Sequence, residues 1–77
     1  MKHDLLARML SKVRKEAGLT QIELCNMLDA SQGQISNIER GNSGITMKIV
    51  KSYAEAIGGK AVIKIEKENG EIEQIVL

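Results

Sequence analysis

Proline, tryptophan and phenylalanine are absent from this chain, and Tyr53 is its single aromatic residue. Proteins that thread single-stranded nucleic acid stack successive bases on several exposed rings, so this mode of binding is excluded. One cysteine, Cys25, cannot close an internal disulfide, which fits a reducing compartment. No apolar run approaches the roughly 20 residues needed to span a bilayer. The opening MKHDLLARML has neither the long apolar stretch nor the small-residue cleavage site of a secretory signal. A cytoplasmic location without membrane contact is therefore expected.

Chemistry-bearing clusters are equally scarce. His3 stands alone near the N-terminus, and nothing has metal-ligand spacing. No Ser/His/Asp, Cys/His or paired-carboxylate arrangement stands out, and 77 residues leave little room for a pocket. The expectation is a protein that is not an enzyme, with no catalytic residue, metal, cofactor or small-molecule substrate. Cys25 reads as a buried structural thiol rather than a redox sensor. The four methionines read as core or start residues rather than a binding groove.

At 43% hydrophobic and 27% charged residues, the composition is that of an ordinary globular chain. A domain this short buries only about 60% of its unfolded surface, so pairing with a second copy is a natural source of added stability. The net charge of +1 is divided unevenly. Residues 1–58 carry 8 Lys/Arg against 6 Asp/Glu, giving +2, and residues 59–77 carry 3 Lys against 4 Glu, giving −1. A nucleic-acid partner is then recognised by where charges sit, not by their total.

Four helices and a hairpin are the simplest parse. Asp4 is placed to cap a first helix running to Ala17, whose apolar face is Leu6, Leu10, Val13 and Ala17, with Gly18 ending it. Thr20 and Glu23 have capping-box spacing at the head of a second helix, with Leu24, Met27 and Leu28 inward. Ser31 caps a third helix, buried along Ile35 and Ile38 and closed by Gly41. A fourth runs from about Thr46 to Ile57, with Met47, Val50, Tyr53, Ala54 and Ile57 on its inner face.

After Gly58-Gly59, residues 60–66 and 71–77 are rich in Ile and Val around Asn69-Gly70, a strong hairpin signal. A two-residue turn would set Glu66 opposite Glu73, a like-charge clash. A four-residue loop over Lys67 to Gly70 pairs Ile65 with Ile72 and Lys64 with Glu73, and is preferred. It places Ile63, Ile65, Ile72, Val76 and Leu77 on one face, with Val62 and Ile75 on the other. The fold expected is mostly α: a helix-turn-helix core over residues 1–58, then a β-hairpin over 59–77.

Leu19-Thr20-Gln21, Leu24-Cys25 and Ile35-Ser36-Asn37-Ile38-Glu39-Arg40-Gly41 carry a resemblance. With Tyr53-Ala54-Glu55-Ala56-Ile57-Gly58 they make residues 5–58 similar to the phage-repressor (Cro/CI-like, xenobiotic-response-element) helix-turn-helix family. The family more often has a fifth helix where this chain has its hairpin. Two positions depart from its pattern: Asp29 stands where the turn usually holds glycine, and Cys25 where a small residue, usually alanine, lets helices 2 and 3 approach.

The resemblance implies a double-stranded DNA reader whose third helix enters the major groove. Gln32, Gly33, Gln34, Ser36 and Asn37 are the implied base-facing residues, and Gln21, Arg40, Asn42 and Ser43 the implied phosphate contacts. Arg14 and Glu39 are implied as a partly buried ion pair joining helix 1 to the end of helix 3. A polar exposed helix face is ordinarily no more than a solvated one; the surrounding pattern turns these residues into candidates.

Ile63, Ile65, Ile72, Ile75, Val76 and Leu77 are candidates for dimerisation, since one hairpin alone is marginal in water. Two functions follow from the resemblance. The first is a homodimeric transcriptional repressor on a palindromic operator, cytoplasmic and encoded by a bacterium or phage. The alternative is an antitoxin, which binds a toxin protein and represses its own operon. A purely structural dimer leaves the amide-rich third helix unexplained.

Overall fold

A computed structural model describes residues 4–77. Four helices, α1 (Asp4–Glu16), α2 (Gln21–Leu28), α3 (Gln32–Glu39) and α4 (Met47–Ala56), precede strands β1 (Val62–Glu66) and β2 (Ile72–Val76). The fold class read from the sequence holds. The cap expected of Asp4 and the isolated His3 lie outside what the structure describes.

Capping sets the helix boundaries. Thr20 Oγ1 accepts from the Glu23 N–H at 3.1 Å, and Glu23 Oε1 accepts from the Thr20 N–H at 2.9 Å, the reciprocal pair expected at α2. These bonds hold the Glu23 carboxyl below its usual range. Ser31 and Gln34 make a second capping box at α3, at 3.1 and 2.9 Å. Thr46 caps α4 through the Ile49 N–H at 3.2 Å. At the far end of α3, Gly41 takes φ 76. Its N–H reaches Ile38 O and that of Asn42 reaches Asn37 O, closing the helix as a Schellman motif.

Between α2 and α3, Asp29 adopts φ 54, ψ 47, the one non-glycine in the left-handed region among the described residues. Its backbone N–H and that of Ala30 both return to Cys25 O. Aspartate tolerates this conformation better than most side chains, so the turn forms without the usual glycine.

Leu10, Leu24, Cys25, Ile35, Ile38 and Tyr53 form the core, with Leu19, Leu28, Ala30, Ile45, Ile49 and Ala56 packed around it. Each fully buried Leu or Ile contributes about 1.5–3 kcal/mol. Cys25 is buried in α2 as part of this core and adds little bulk there. Three inward faces differ from expectation. On α1 the buried stripe is Ala7, Leu10 and Arg14, while Ala17 lies past the helix end, exposed. Met27 and Met47 are exposed: each lies two residues from an inward-facing side chain, Cys25 or Ile49, and so points to the opposite side of its helix.

The hairpin register also differs. Val62 pairs with Val76, Ile63 with Ile75, Lys64 with Gln74, Ile65 with Glu73 and Glu66 with Ile72. This lies one step from each of the two registers weighed on the sequence. Gly70 N–H bonds Lys67 O, and Lys67 N–H bonds Glu71 O at 2.8 Å. Glu68, Asn69 and Gly70 thus form a three-residue loop, with Gly70 at φ 89 as its left-handed residue. A one-residue slip exchanges faces. Ile63, Ile65, Ile75 and Leu77 therefore share one face; Val62, Ile72 and Val76 share the other. The expected grouping of Ile72 and Val76 with Ile63 and Ile65, and of Ile75 with Val62, is corrected.

No helix packs extensively on the hairpin among the described residues, and the molecule measures 44 × 28 × 19 Å. Val62 alone among the strand residues reaches the apolar groove that Met9, Leu10, Val13, Val50, Ala54 and Ile57 form between α1 and α4. No helix among the described residues is long and apolar enough to cross a membrane.

Candidate nucleic-acid interface

Ile35 and Ile38 anchor α3 in the core, and the Glu39 side chain is 5% exposed. At 100° per residue, that seam points Gly33, Ser36, Asn37 and Arg40 away from the body. Gln32 begins the helix, exposed, on the flank of this stripe. The outward stripe carries amide, hydroxyl and guanidinium groups and no carboxylate. Arg40 Nη2 donates to Ser36 Oγ at 2.7 Å, laying the guanidinium along it.

Gln34 is placed differently. Its Oε1 accepts from the Ser31 N–H, and it borders a depression with Lys48 and Ser52 of α4. The acceptor needed for a two-point bond to adenine is committed to the cap, leaving the amide N–H groups free. Ser31 and Gln34 already have capping-box spacing in the sequence, so this role was legible there.

Arg14 and Glu39 form the expected pair. Arg14 Nε donates to Glu39 Oε2 and Nη2 to Oε1, both at 2.8 Å, and Nη1 donates to Leu19 O at 2.7 Å. Two further donors reach the same carboxylate: Tyr53 Oη at 3.0 Å and Gln21 Nε2 at 3.3 Å. All four helices therefore meet at Glu39. Burial pushes the Glu39 carboxyl up, but bonds from Arg14, Gln21 and Tyr53 and the guanidinium charge outweigh it and hold the group below its usual range. The same carboxylate raises Arg14 through its hydrogen bond. Burial and the Glu39 charge keep Tyr53 protonated well above its ordinary range. The Tyr53 contribution has no local sequence signal, because it depends on α4 crossing α2.

Among the residues that the resemblance assigned to phosphate, Gln21 spends one amide N–H on Glu39, while its backbone N–H belongs to the open first turn of α2. Arg40 and Asn42 are exposed and Ser43 half-buried, all at the end of α3. Arg8, Lys12 and Lys15 of α1 line a cleft reaching Glu39, a cationic group the sequence reading did not single out. No cluster suited to a metal ion occurs among the described residues.

A family model described as helix-turn-helix matches residues 10–67, running past Gly58 through β1. Comparison with curated proteins gives no match. The match covers most of the chain and coincides with the α2–turn–α3 unit, its capped helices and the outward polar stripe. The chain belongs to the Cro/CI-type helix-turn-helix family of DNA-binding transcriptional regulators.

Proposed function

We propose that the protein is a homodimeric repressor that reads a palindromic double-stranded operator, placing α3 of each copy in successive major grooves about 34 Å apart. The observation that carries this is the carboxylate-free outward stripe of α3, fixed to the other three helices through Glu39. Gln32, Gly33, Ser36 and Asn37 face bases. Gln34 offers N–H donors only, which suits an acceptor such as guanine O6 or thymine O4. Gln21, Arg40, Asn42 and Ser43 bind phosphates that fix the register. The test is fluorescence anisotropy across a salt series, comparing DNA upstream of the gene with a scrambled duplex. Tight binding to the upstream DNA alone, falling steeply with salt, supports the reading. Equal weak binding to both removes it.

The exposed apolar hairpin favours a second reading, the antitoxin, in which a toxin protein covers that surface. Co-purification of the neighbouring gene product as a stoichiometric complex would distinguish it.

Gly33 supplies a prediction that separates fold from function. A Cβ there meets nothing closer than Ser31 Oγ at 3.9 Å. Gly33→Ala is therefore expected to stabilise the chain by up to about 1 kcal/mol. It should also weaken operator binding, because the methyl projects from the outward stripe. Thermal melts and anisotropy on the same sample check both; unchanged affinity would show that DNA does not approach this backbone.

A further inference from the structure

The two strands of the hairpin have unlike outer edges. Lys67–Glu71 and Ala61–Leu77 are hydrogen-bonded pairs, so by alternation Ile65–Glu73 and Ile63–Ile75 are too. The remaining residues turn their N–H and C=O groups outward: Val62, Lys64 and Glu66 on β1, and Ile72, Gln74 and Val76 on β2. Charged side chains guard an edge against strand addition. On β1, Lys64 and Glu66 do this, bonded to each other at 3.4 Å. Every outward residue of β2 is uncharged, and Ile72 and Val76 are 52% and 59% exposed. Among the described residues no element other than β1 packs extensively on β2.

We infer that β2 pairs antiparallel with β2 of a second copy about a two-fold axis at Gln74, making one four-stranded sheet. This rests on the dimeric reading above and specifies its contact. Overlap along the whole of β2 sets Ile72 opposite the partner's Val76, Gln74 opposite Gln74 of the partner subunit, and Glu73 opposite the partner's Ile75. No like charges meet. The corresponding overlap of β1 sets Lys64 against its own copy, a repulsive pair. The β2 pairing also extends the Val62–Val76 row directly into the partner's Ile72, giving an apolar band over three of the four strands. A two-fold contact of this kind is self-complementary by construction.

Amide hydrogen exchange on the intact native chain tests this, read beside sedimentation equilibrium on the same sample. The expected result is a dimer with slow exchange at Ile72, Gln74 and Val76, deepening with protein concentration, and fast exchange at Val62, Lys64 and Glu66. The reverse pattern overturns the assignment in favour of the β1 edge. Fast exchange at both edges in a dimeric sample overturns it in favour of face-to-face or helix-mediated contact, leaving the dimeric reading standing. Fast exchange at both edges in a monomeric sample removes the dimeric reading itself. A Gln74→Cys variant should form an oxidative cross-link between copies; Lys64→Cys should not, because β1 strands of the two copies lie about 14 Å apart across three strand spacings.

Discussion

Glu39→Ala is expected to destabilise the fold by about 3–5 kcal/mol, because it strands a buried cation. Arg14 is 6% exposed and Tyr53 0% exposed, so neither the guanidinium nor the hydroxyl can turn to water without opening the core. A domain this small has a total stability of the same order, so a substantial unfolded population should be visible at room temperature. Glu39→Gln should cost less, since an amide oxygen still accepts from one donor. Urea titrations at neutral pH measure both; a Glu39→Ala variant within about 0.5 kcal/mol of the parent would mean the pair contributes nothing.

The same carboxylate sets a pH dependence with a definite sign. The folded-state value lies below the usual 4.5. Its contribution is therefore fully present above the unfolded-state value and lost as pH falls through the lower folded one. Stability of the parent should decline on acidification below about pH 5, and the Glu39→Gln profile should be flatter there.

Asn37→Ala is expected to abolish most of the discrimination between operator and scrambled DNA. One good base contact contributes about 1–3 kcal/mol, and a two-fold complex makes each contact twice. The loss is then about 2–6 kcal/mol, or roughly 30-fold to 10⁴-fold in operator affinity. Binding to scrambled DNA should hold, since phosphates carry it. Gln34→Ala is the contrasting case. It removes half of a capping box, lowering helix stability by up to about 1 kcal/mol, and leaves affinity closer to the parent. Anisotropy at one fixed salt concentration compares them. If Gln34→Ala loses more operator affinity than Asn37→Ala, the assignment of the outward stripe is wrong.

These contrasts track what was legible in the sequence. Thr20, Ser31, Thr46 and Gly41 announce helix ends because capping is local: the donor and its acceptor lie within a few residues. The family resemblance places Asp29 in the turn, and its left-handed backbone is what the usual glycine there implies. The Arg14–Glu39 bridge spans α1 and α3, and only the family resemblance pointed to it. Tyr53 and Gln21 joined it without warning. The hairpin shows the opposite failure. Asn69-Gly70 marked the turn, but loop length is fixed by whether Gly70 lies inside a tight turn or follows one as a bulge. That single residue of difference moved Ile72 and Val76 to the face opposite Ile63 and Ile65. On α1 and α4, apolar periodicity could not distinguish the faces of Ala17 and Met47, because one lies beyond the helix end and the other in its open first turn.

Cys25 gives the molecule a built-in clock. Its thiol lies in the core with Leu10, Leu24, Ile35, Ile38 and Tyr53, 8% exposed, and it is the single sulfhydryl in the chain. A thiol-directed reagent can modify it only when that core opens. The labelling rate in the native state therefore counts how often the core beneath the DNA-reading unit opens, with no residue changed.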